Sequence, residues 1–163
     1  MEHKQLLTVF NSLPVGIGFF TADGTLVRCN ESFCRIFGAD SQTLLGNKLN
    51  INENSVVPDV VKEAVRRCVP VQMSFLYDFD KQRTDKRFFS TRTRTCYLKC
   101  NGNPLYDNDG KFVNYIFIFE DITETVKSEE VLRQSRRKTE LAMKAANIMF
   151  WEFDAVAKLF YSD

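Results

Sequence analysis

The segment NYIFIFEDITETVKSEEVLRQSRRKTEL, which begins at Asn114, limits most strongly what this chain can fold into. It starts as an aromatic and β-branched run, passes through Asp121-Ile122-Thr123, and ends as a charged segment with helical composition. Neither Gly nor Pro separates the two parts, although these residues mark most connections between elements. The pattern therefore predicts a buried strand joined directly to a solvated helix, so that the two elements are mechanically coupled.

The composition indicates one domain with an appendage. The 163 residues are 44% hydrophobic and 26% charged, and the 15 Phe predict a core rich in aromatic rings. A net charge of +1 gives no reason to expect nucleic acid or an anionic membrane surface as a partner. Because no apolar run approaches the roughly 20 residues of a membrane span and no signal peptide is recognisable, we expect a cytoplasmic location, with any membrane anchor of a longer parent outside this segment.

The five cysteines are odd in number and scattered, which predicts reduced thiols and no disulfide framework. Cys96 and Cys100 would share one face of a strand, but a closed zinc site needs two further ligands. The single histidine, His3, stands near the start of the chain. We therefore predict no metal site.

Hydrophobic periodicity predicts an α+β fold with an antiparallel sheet. Asn30 is the expected N-cap of one helix, with Gly38 as its stop, and Ser41 and Gly46 are expected to bound the next. The last strand is apolar on both faces, which predicts a central place in the sheet. In chain order the expected elements are a helix at 3–13, a hairpin of strands 15–20 and 25–29, helices at 31–37, 41–46 and 57–68, and strands at 71–79, 88–100 and 112–119, with a polar connector at 80–88.

The sequence also contains an internal repeat. Residues 13–30 align without a gap with residues 146–163, so that Val15 falls on Ile148 and Phe20 on Phe153. The order helix, strand, turn, strand and cap is the same in both places. Residues 147–163 are therefore predicted to be the first hairpin of a second, truncated module.

Three stretches carry a family resemblance: NSLPVGIGFFTADGTLVRCNESFCRIFG, then LLGNKL, then GNPLYDNDGKFVNYIFIFEDITE. Together they resemble a PAS sensory domain, with Asp121-Ile122-Thr123 at the place of the family's DIT-type ending. The resemblance implies a five-stranded antiparallel sheet with short helices on one face, and signalling through the helix that leaves the last strand. The implied organisation is an N-terminal amphipathic helix at 1–13, a PAS domain at 14–123, a helical linker at 124–146 and the truncated second PAS domain at 147–163.

PAS relatives bind haem, flavin or small metabolites, and the residues here argue against haem and against a flavin that reacts covalently. The helix at 57–68 has no histidine for a haem iron. Leu49 occupies the place where flavin photosensors carry their reactive cysteine, and Cys34 falls on the earlier helix, where we interpret it as a core thiol. We therefore expect neither haem nor a covalently reacting flavin, and the cofactor is left open.

The resemblance implies a pocket that a small molecule can occupy, although the aromatic bulk favours the alternative of a filled core in a dimerisation and relay module. Signal relay is assigned to Asp121, Ile122 and Thr123. The inward positions expected to line the pocket are Ile17, Phe19, Phe33, Phe37, Val61, Val65, Met73, Phe75, Leu98, Cys100, Ile116 and Ile118.

The chain carries no recognisable catalytic motif: no nucleophile with a paired base, no Gly-rich phosphate loop and no phosphoacceptor histidine box. By family analogy we expect the module to serve a two-component sensor histidine kinase and its phosphorelay, as a homodimer through the N-terminal or linker helices. A cyclic-dinucleotide synthase or a transcription regulator is the alternative parent.

Overall fold

The computed structural model describes residues 2–82 and 90–145, and the strands at 151–154 and 159–162 as backbone. This description leaves out the first residues of the strand predicted at 88–100 and Ile148, which the internal repeat aligns with Val15. It also leaves out the side chains of His3 and Phe153. The chain divides into two units, residues 1–123 and 124–163.

The first unit is an α+β fold built on one antiparallel sheet, as the sequence predicts. Its five strands run in the order β2-β1-β5-β4-β3, which places the last strand in the centre of the sheet. The elements are α1 Glu2–Ser12, β1 Gly16–Phe20, β2 Leu26–Cys29, α2 Glu31–Phe37, α3 Ser41–Gly46, α4 Asp59–Arg67, β3 Val71–Asp78, α5 Phe79–Gln82, β4 Thr95–Tyr106 and β5 Phe112–Asp121.

The ends of α2 are set by the residues that the sequence indicates. The Asn30 side chain accepts a hydrogen bond from the amide of Phe33, and Gly38 ends the helix in the left-handed region with φ 63°. The prediction for α3 is one residue off at each end. Its N-cap is Asp40, whose carboxylate accepts from the Thr43 amide, and Gly46 belongs to the helix.

Strand β4 differs from its prediction at both ends. It begins at Thr95, because residues 90–92 leave the sheet to bond the carboxyl end of α2. It continues through Gly102 and Pro104 to Tyr106, since β5 pairs with β4 from Leu98 to Tyr106. The polar connector also contains a short helix, α5, that periodicity did not indicate.

Glycines on β1 decide which sheet face meets α2. A Cβ at Gly16 would lie 3.0 Å from the Cα of Phe33, and one at Gly18 would lie 2.8 Å from that residue's ring. Helix α2 therefore packs directly on the β1 backbone, and the residues between and after the glycines, Ile17 and Phe19, face the other side of the sheet. There the ring of Phe19 packs against that of Phe10 in α1, with centroids 6.0 Å apart.

The second unit contains most of α6, Thr123–Ala145, and a two-stranded antiparallel ladder of β6, Trp151–Asp154, with β7, Leu159–Ser162. The ladder lies in the segment that the repeat assigns to a second module, and that assignment stays a prediction. Only Ile122 separates β5 from α6. Within the described ranges, no helix combines the length and apolar character needed to cross a bilayer.

Candidate functional site

An apolar cavity lies between the sheet and the helices of the first unit. Its walls are formed by α2, α4, the connection that follows α3, and strands β1, β3 and β5. The lining residues are Phe20, Phe33, Phe37, Leu49, Ile51, Asn54, Val57, Val61, Phe75, Tyr77 and Phe119.

The aromatic rings of the cavity contact one another closely. The Phe33 and Phe37 rings have centroids 4.5 Å apart, and Phe37 meets Tyr77 and Phe119 edge to face at 5.5 and 5.3 Å. Such arrangements contribute about 0.5–1.5 kcal/mol each beyond the burial of area. Phe37 contacts three of the five other aromatic rings that line the cavity, so a shift of α2 repacks much of the wall.

The free space inside this wall is small. The volume open to the centre of a water molecule is about 20 Å³, which accommodates roughly one water. A drug-sized molecule needs roughly 300 Å³ or more. Any larger occupant therefore has to displace side chains of the wall.

One polar pair interrupts the apolar lining. The Asn54 side-chain amide donates to the Tyr77 hydroxyl at 3.1 Å, and both residues are buried. The carbonyl oxygen of the Asn54 side chain accepts from the Val56 amide. Burial raises the pKa of Tyr77 far above its ordinary value, so the hydroxyl keeps its proton. Among the described residues that proton has no acceptor, which leaves one hydrogen-bond donor available at the cavity.

Four of the residues predicted for the pocket line this cavity: Phe33, Phe37, Val61 and Phe75. Val65, Leu98 and Cys100 are fully buried in the surrounding core, and Met73 packs against it, without reaching the cavity wall.

The remaining four predicted positions, Ile17, Phe19, Ile116 and Ile118, lie on the opposite sheet face. Ile17 pairs with Ile118 and Phe19 with Ile116 across the β1–β5 ladder, so their side chains share that face. The prediction that these four side chains face the pocket was wrong. Strand β5 is apolar on both faces, and alternation alone does not show which of its two faces points inward. The sequence analysis also missed Asn54, which stands in an irregular stretch, and Tyr77.

The carboxyl end of α2 is capped by residues 90–92, here called the capping segment. Helix ends leave carbonyl groups without partners in the helix, and this segment supplies donors. The Ser90 hydroxyl donates to the Phe37 carbonyl at 2.7 Å, and the Thr91 amide donates to the Gly38 carbonyl at 2.7 Å.

Arg92 extends this cap to the end of β5. One terminal nitrogen of its guanidinium donates to the Ile36 carbonyl at 2.9 Å, and the other donates to the Asp121 carboxylate at 2.8 Å. The guanidinium carbon lies 5.2 Å from the centre of the Phe79 ring. A single side chain therefore connects the helix that walls the cavity with the strand that leads into α6.

The strand-to-helix junction is closed by its own hydrogen bonds. The second oxygen of Asp121 accepts from the amide and the hydroxyl of Thr123 at 3.1 and 2.6 Å. The Thr123 hydroxyl oxygen accepts from the Tyr97 amide at 2.9 Å, and the Ile122 amide donates to the Tyr97 carbonyl at 2.9 Å. The junction is thus paired to β4, with no unpaired spacer between β5 and α6.

Two opposing effects act on the Asp121 carboxyl. Partial burial on its own would raise its pKa, but the hydrogen bonds from Thr123 and Arg92 together outweigh that effect. The pKa of Asp121 therefore lies below its ordinary value, and the group is a carboxylate at neutral pH. It can hold Arg92 and Thr123 at the same time because it uses a different oxygen for each.

Comparison with known proteins places most of the first unit in one family. A family described as the PAS fold matches residues 10–127. The probable diguanylate cyclase DgcE of Escherichia coli (strain K12) is 21% identical over 149 residues, which are 91% of this chain. The matched region is 13% of that relative, so the chain spans only a small part of its length.

Solved structures show the same fold at low sequence identity. An RNA-binding Light-Oxygen-Voltage receptor has a TM-score of 0.61 at 17% identity, over 86% of this chain and 38% of that one. The PAS domain of a Colwellia psychrerythraea protein has a TM-score of 0.57 at 15% identity, over 76% and 99%. A PAS domain from a two-component sensor histidine kinase has a TM-score of 0.54 at 14% identity, over 74% and 96%.

Proposed function

The chain belongs to the PAS fold family, and from this premise we propose that it relays changes in packing at the aromatic cavity into α6. The single observation that carries the proposal is the pair of hydrogen bonds from Arg92, one to α2 and one to Asp121. When α2 moves away from the cavity, the guanidinium either follows it and pulls on Asp121 or loses one of its two partners. Either response alters the hydrogen bonds that define the start of α6.

Two kinds of input are compatible with this relay. The small free volume favours a module that responds to a partner or to the position of α1, with its interior filled by aromatic rings. The unused proton of Tyr77 favours the other candidate, a sensor for a small and mostly apolar molecule that carries one hydrogen-bond acceptor. A ligand that prefers one packing state by about 1.4 kcal/mol shifts the equilibrium tenfold, so even a small occupant can signal.

Mass spectrometry of the purified chain separates these inputs. A bound small molecule appears as added mass in the native spectrum and is absent from the denatured one. If the native mass equals that of the chain or its simple multiple, and Tyr77→Phe changes nothing, the ligand-free relay is the better account. If a ligand is found and Tyr77→Phe weakens its retention, the sensor is the better account.

We propose a two-component sensor histidine kinase as the parent protein, with a cyclic-dinucleotide synthase as the alternative. The PAS domain of a sensor histidine kinase is among the structural neighbours, and the diguanylate cyclase relative supports the alternative. The full sequence of the protein that carries these residues decides between them. A helix with a phosphoacceptor histidine would support the kinase, and a cyclase domain would support the synthase.

A second copy of this chain is the partner that we propose. Leu6 and Val9 of α1 and Leu13, which directly follows the helix, are exposed at helical spacing, and residues spaced in this way form an apolar stripe. Helix α6 exposes Val131 and Leu141 as the other candidate surface. Sedimentation equilibrium of Val9→Glu and of Leu141→Glu distinguishes the two: a dimer lost only in the first variant uses α1, and a wild-type monomer contradicts the proposal.

The relay itself is tested by amide hydrogen exchange of Arg92→Met, with Lys99→Met as the matched control. Arg92 touches α2 and the junction together, so its loss is expected to accelerate exchange at both Gly38 and Ile122. Lys99 pairs with Glu120 at 3.9 Å on the neighbouring strand and contacts neither end of the connection. If Arg92→Met changes exchange at only one of the two amides, the connection does not act as a relay.

A further inference from the structure

Two of the five cysteines are in contact. The sulfur atoms of Cys29 and Cys34 lie 3.8 Å apart, and both side chains are half-buried. Cys29 is the last residue of β2, and Cys34 is in the middle of α2. By contrast, Cys96 and Cys100 are fully buried, and Cys68 places its sulfur against the Val65 carbonyl.

Cys34 also lines an open groove on the surface of the first unit. The groove has a volume of about 400 Å³ and is formed by the carboxyl half of α2, the turn that follows it and the capping segment, with Arg35, Asp40 and Arg92 as its charged residues. A small oxidant in solvent can enter a groove of this size. Of the two sulfurs, that of Cys34 is therefore the one assigned to meet the oxidant.

The backbone between the two cysteines is held in place by the hydrogen bonds of Asn30. Asn30, which follows Cys29, accepts hydrogen bonds from the Ile17 amide at 2.8 Å and from the Phe33 amide at 2.9 Å. Its amide nitrogen donates to the carbonyls of Phe10 and Val15. A disulfide between them requires the two side chains to close the present gap of 3.8 Å to about 2.05 Å.

From the sulfur contact and the groove we propose that Cys29 and Cys34 form a reversible disulfide in response to a hydroperoxide. Cys34 attacks the peroxide oxygen, the O–O bond breaks, and the products are a Cys34 sulfenic acid and an alcohol or water. The sulfur of Cys29 then attacks the sulfenic sulfur, and the hydroxyl leaves as water with the proton of the thiol. The two thiols are oxidised and the peroxide is reduced, so no further reactant is needed.

The raised pKa values of the two thiols slow this reaction. Burial, with a smaller contribution from the charges of Asp40 and Glu31, raises the pKa of Cys34, although the contact with Cys29 opposes it. Burial raises the pKa of Cys29 to about 12. Because the thiolate is the attacking form, we expect oxidation of this pair to require sustained peroxide exposure.

The bond would connect the end of β2 to the body of α2, whose carboxyl end is bonded to Arg92. This inference does not depend on the relay or on a ligand, because it concerns the two thiols alone. If the relay is also correct, oxidation holds α2 against β2 and limits its movement at the cavity.

The test is oxidation of the whole chain by hydrogen peroxide, followed by thiol counting and peptide mapping under denaturing conditions. We expect two of the five thiols to be lost, an intramolecular link between the peptides of Cys29 and Cys34, and recovery of all five thiols with dithiothreitol. In Cys29→Ser, we expect a Cys34 sulfenic acid that dimedone traps. The matched control Cys68→Ser should form the same disulfide as the wild type.

Three results would overturn the proposal: a link between other cysteines or between chains, a Cys34 that becomes sulfinic acid while Cys29 stays free, or five intact thiols after prolonged exposure. The wild-type map decides the question even if a serine variant does not fold. The peptide map does not depend on whether a ligand or a dimer is found. A negative result would therefore exclude the disulfide without excluding the relay.

Discussion

Removing the contact between Arg92 and Asp121 should cost more stability than removing the neighbouring ion pair of Lys99 and Glu120. The perturbation is a double-mutant cycle of Arg92→Met and Asp121→Asn, each of which removes one charge and keeps the approximate size of the side chain. The cycle isolates the energy of the pair, because effects of each substitution on other contacts cancel.

The expected magnitude follows from the geometry of the two pairs. Hydrogen bonds to charged groups are worth about 1.5–3 kcal/mol when shielded. Arg92 and Asp121 meet at 2.8 Å with side chains 35% and 26% exposed, so screening by solvent reduces this to a coupling of about 1 kcal/mol. Lys99 and Glu120 meet at 3.9 Å with both side chains 44% exposed, and we expect about 0.3 kcal/mol.

Arg92→Met alone should cost more than the coupling, about 2 kcal/mol, because it also leaves the Ile36 carbonyl without its donor. Urea unfolding followed by far-UV circular dichroism measures each free energy, with an unchanged m value as the check that the same transition is compared. The reasoning is refuted if the coupling of Arg92 with Asp121 is no larger than that of the control pair.

Three further predictions concern the packing of α2 and the charge at the junction. Gly18→Ala should lower the free energy of unfolding by about 1–3 kcal/mol, since the new Cβ would lie 2.8 Å from two aromatic rings, whereas Gly46→Ala, with open space around it, should not lower it; urea titration measures both. Asn30→Ala should cost about 3 kcal/mol or more, because four backbone groups lose their partner, and the exposed cap substitution Asp40→Ala should cost clearly less; equal losses would contradict this assignment. The folded state lowers the pKa of Asp121, so its carboxylate stabilises the fold at neutral pH and this contribution is lost as the pH falls through the folded-state value. The cost of Asp121→Asn should therefore shrink in acid, and a cost independent of pH would show that charge is not involved.

The order of the elements was predictable because each one is encoded locally. Asn30 and Gly38 bound α2 as the cap rules require, and the two-sided apolar run of β5 indicated its central place. The same run concealed which face was inward, since Ile116 and Phe117 are equally apolar. The spacing of Gly16 and Gly18 held the missing signal, because glycine on alternate strand positions marks a face where another backbone approaches closely.

The relay contacts were out of reach of local reasoning. Arg92 reaches Ile36 and Asp121, which lie 56 and 29 positions away in the chain. The sequence around Arg92 resembled a strand with one solvent-exposed face. Alternating Thr and Arg residues fit that pattern as well as they fit a segment that caps a helix. Asn54 and Tyr77 likewise meet across 23 positions, from an irregular stretch and a strand.

The most direct test of the relay is amide hydrogen exchange at Ile122 after a change in the cavity wall. Phe37→Leu alters the wall at the point where three rings meet, and Leu44→Ala is a control in α3 that lies outside the cavity. Each substitution is measured with Arg92 intact and with Arg92→Met. The denaturant concentration is chosen so that all four variants have the same global free energy of unfolding. The relay predicts that Phe37→Leu accelerates exchange at Ile122 only while Arg92 is present, and that Leu44→Ala does not. Equal acceleration in both backgrounds would contradict it.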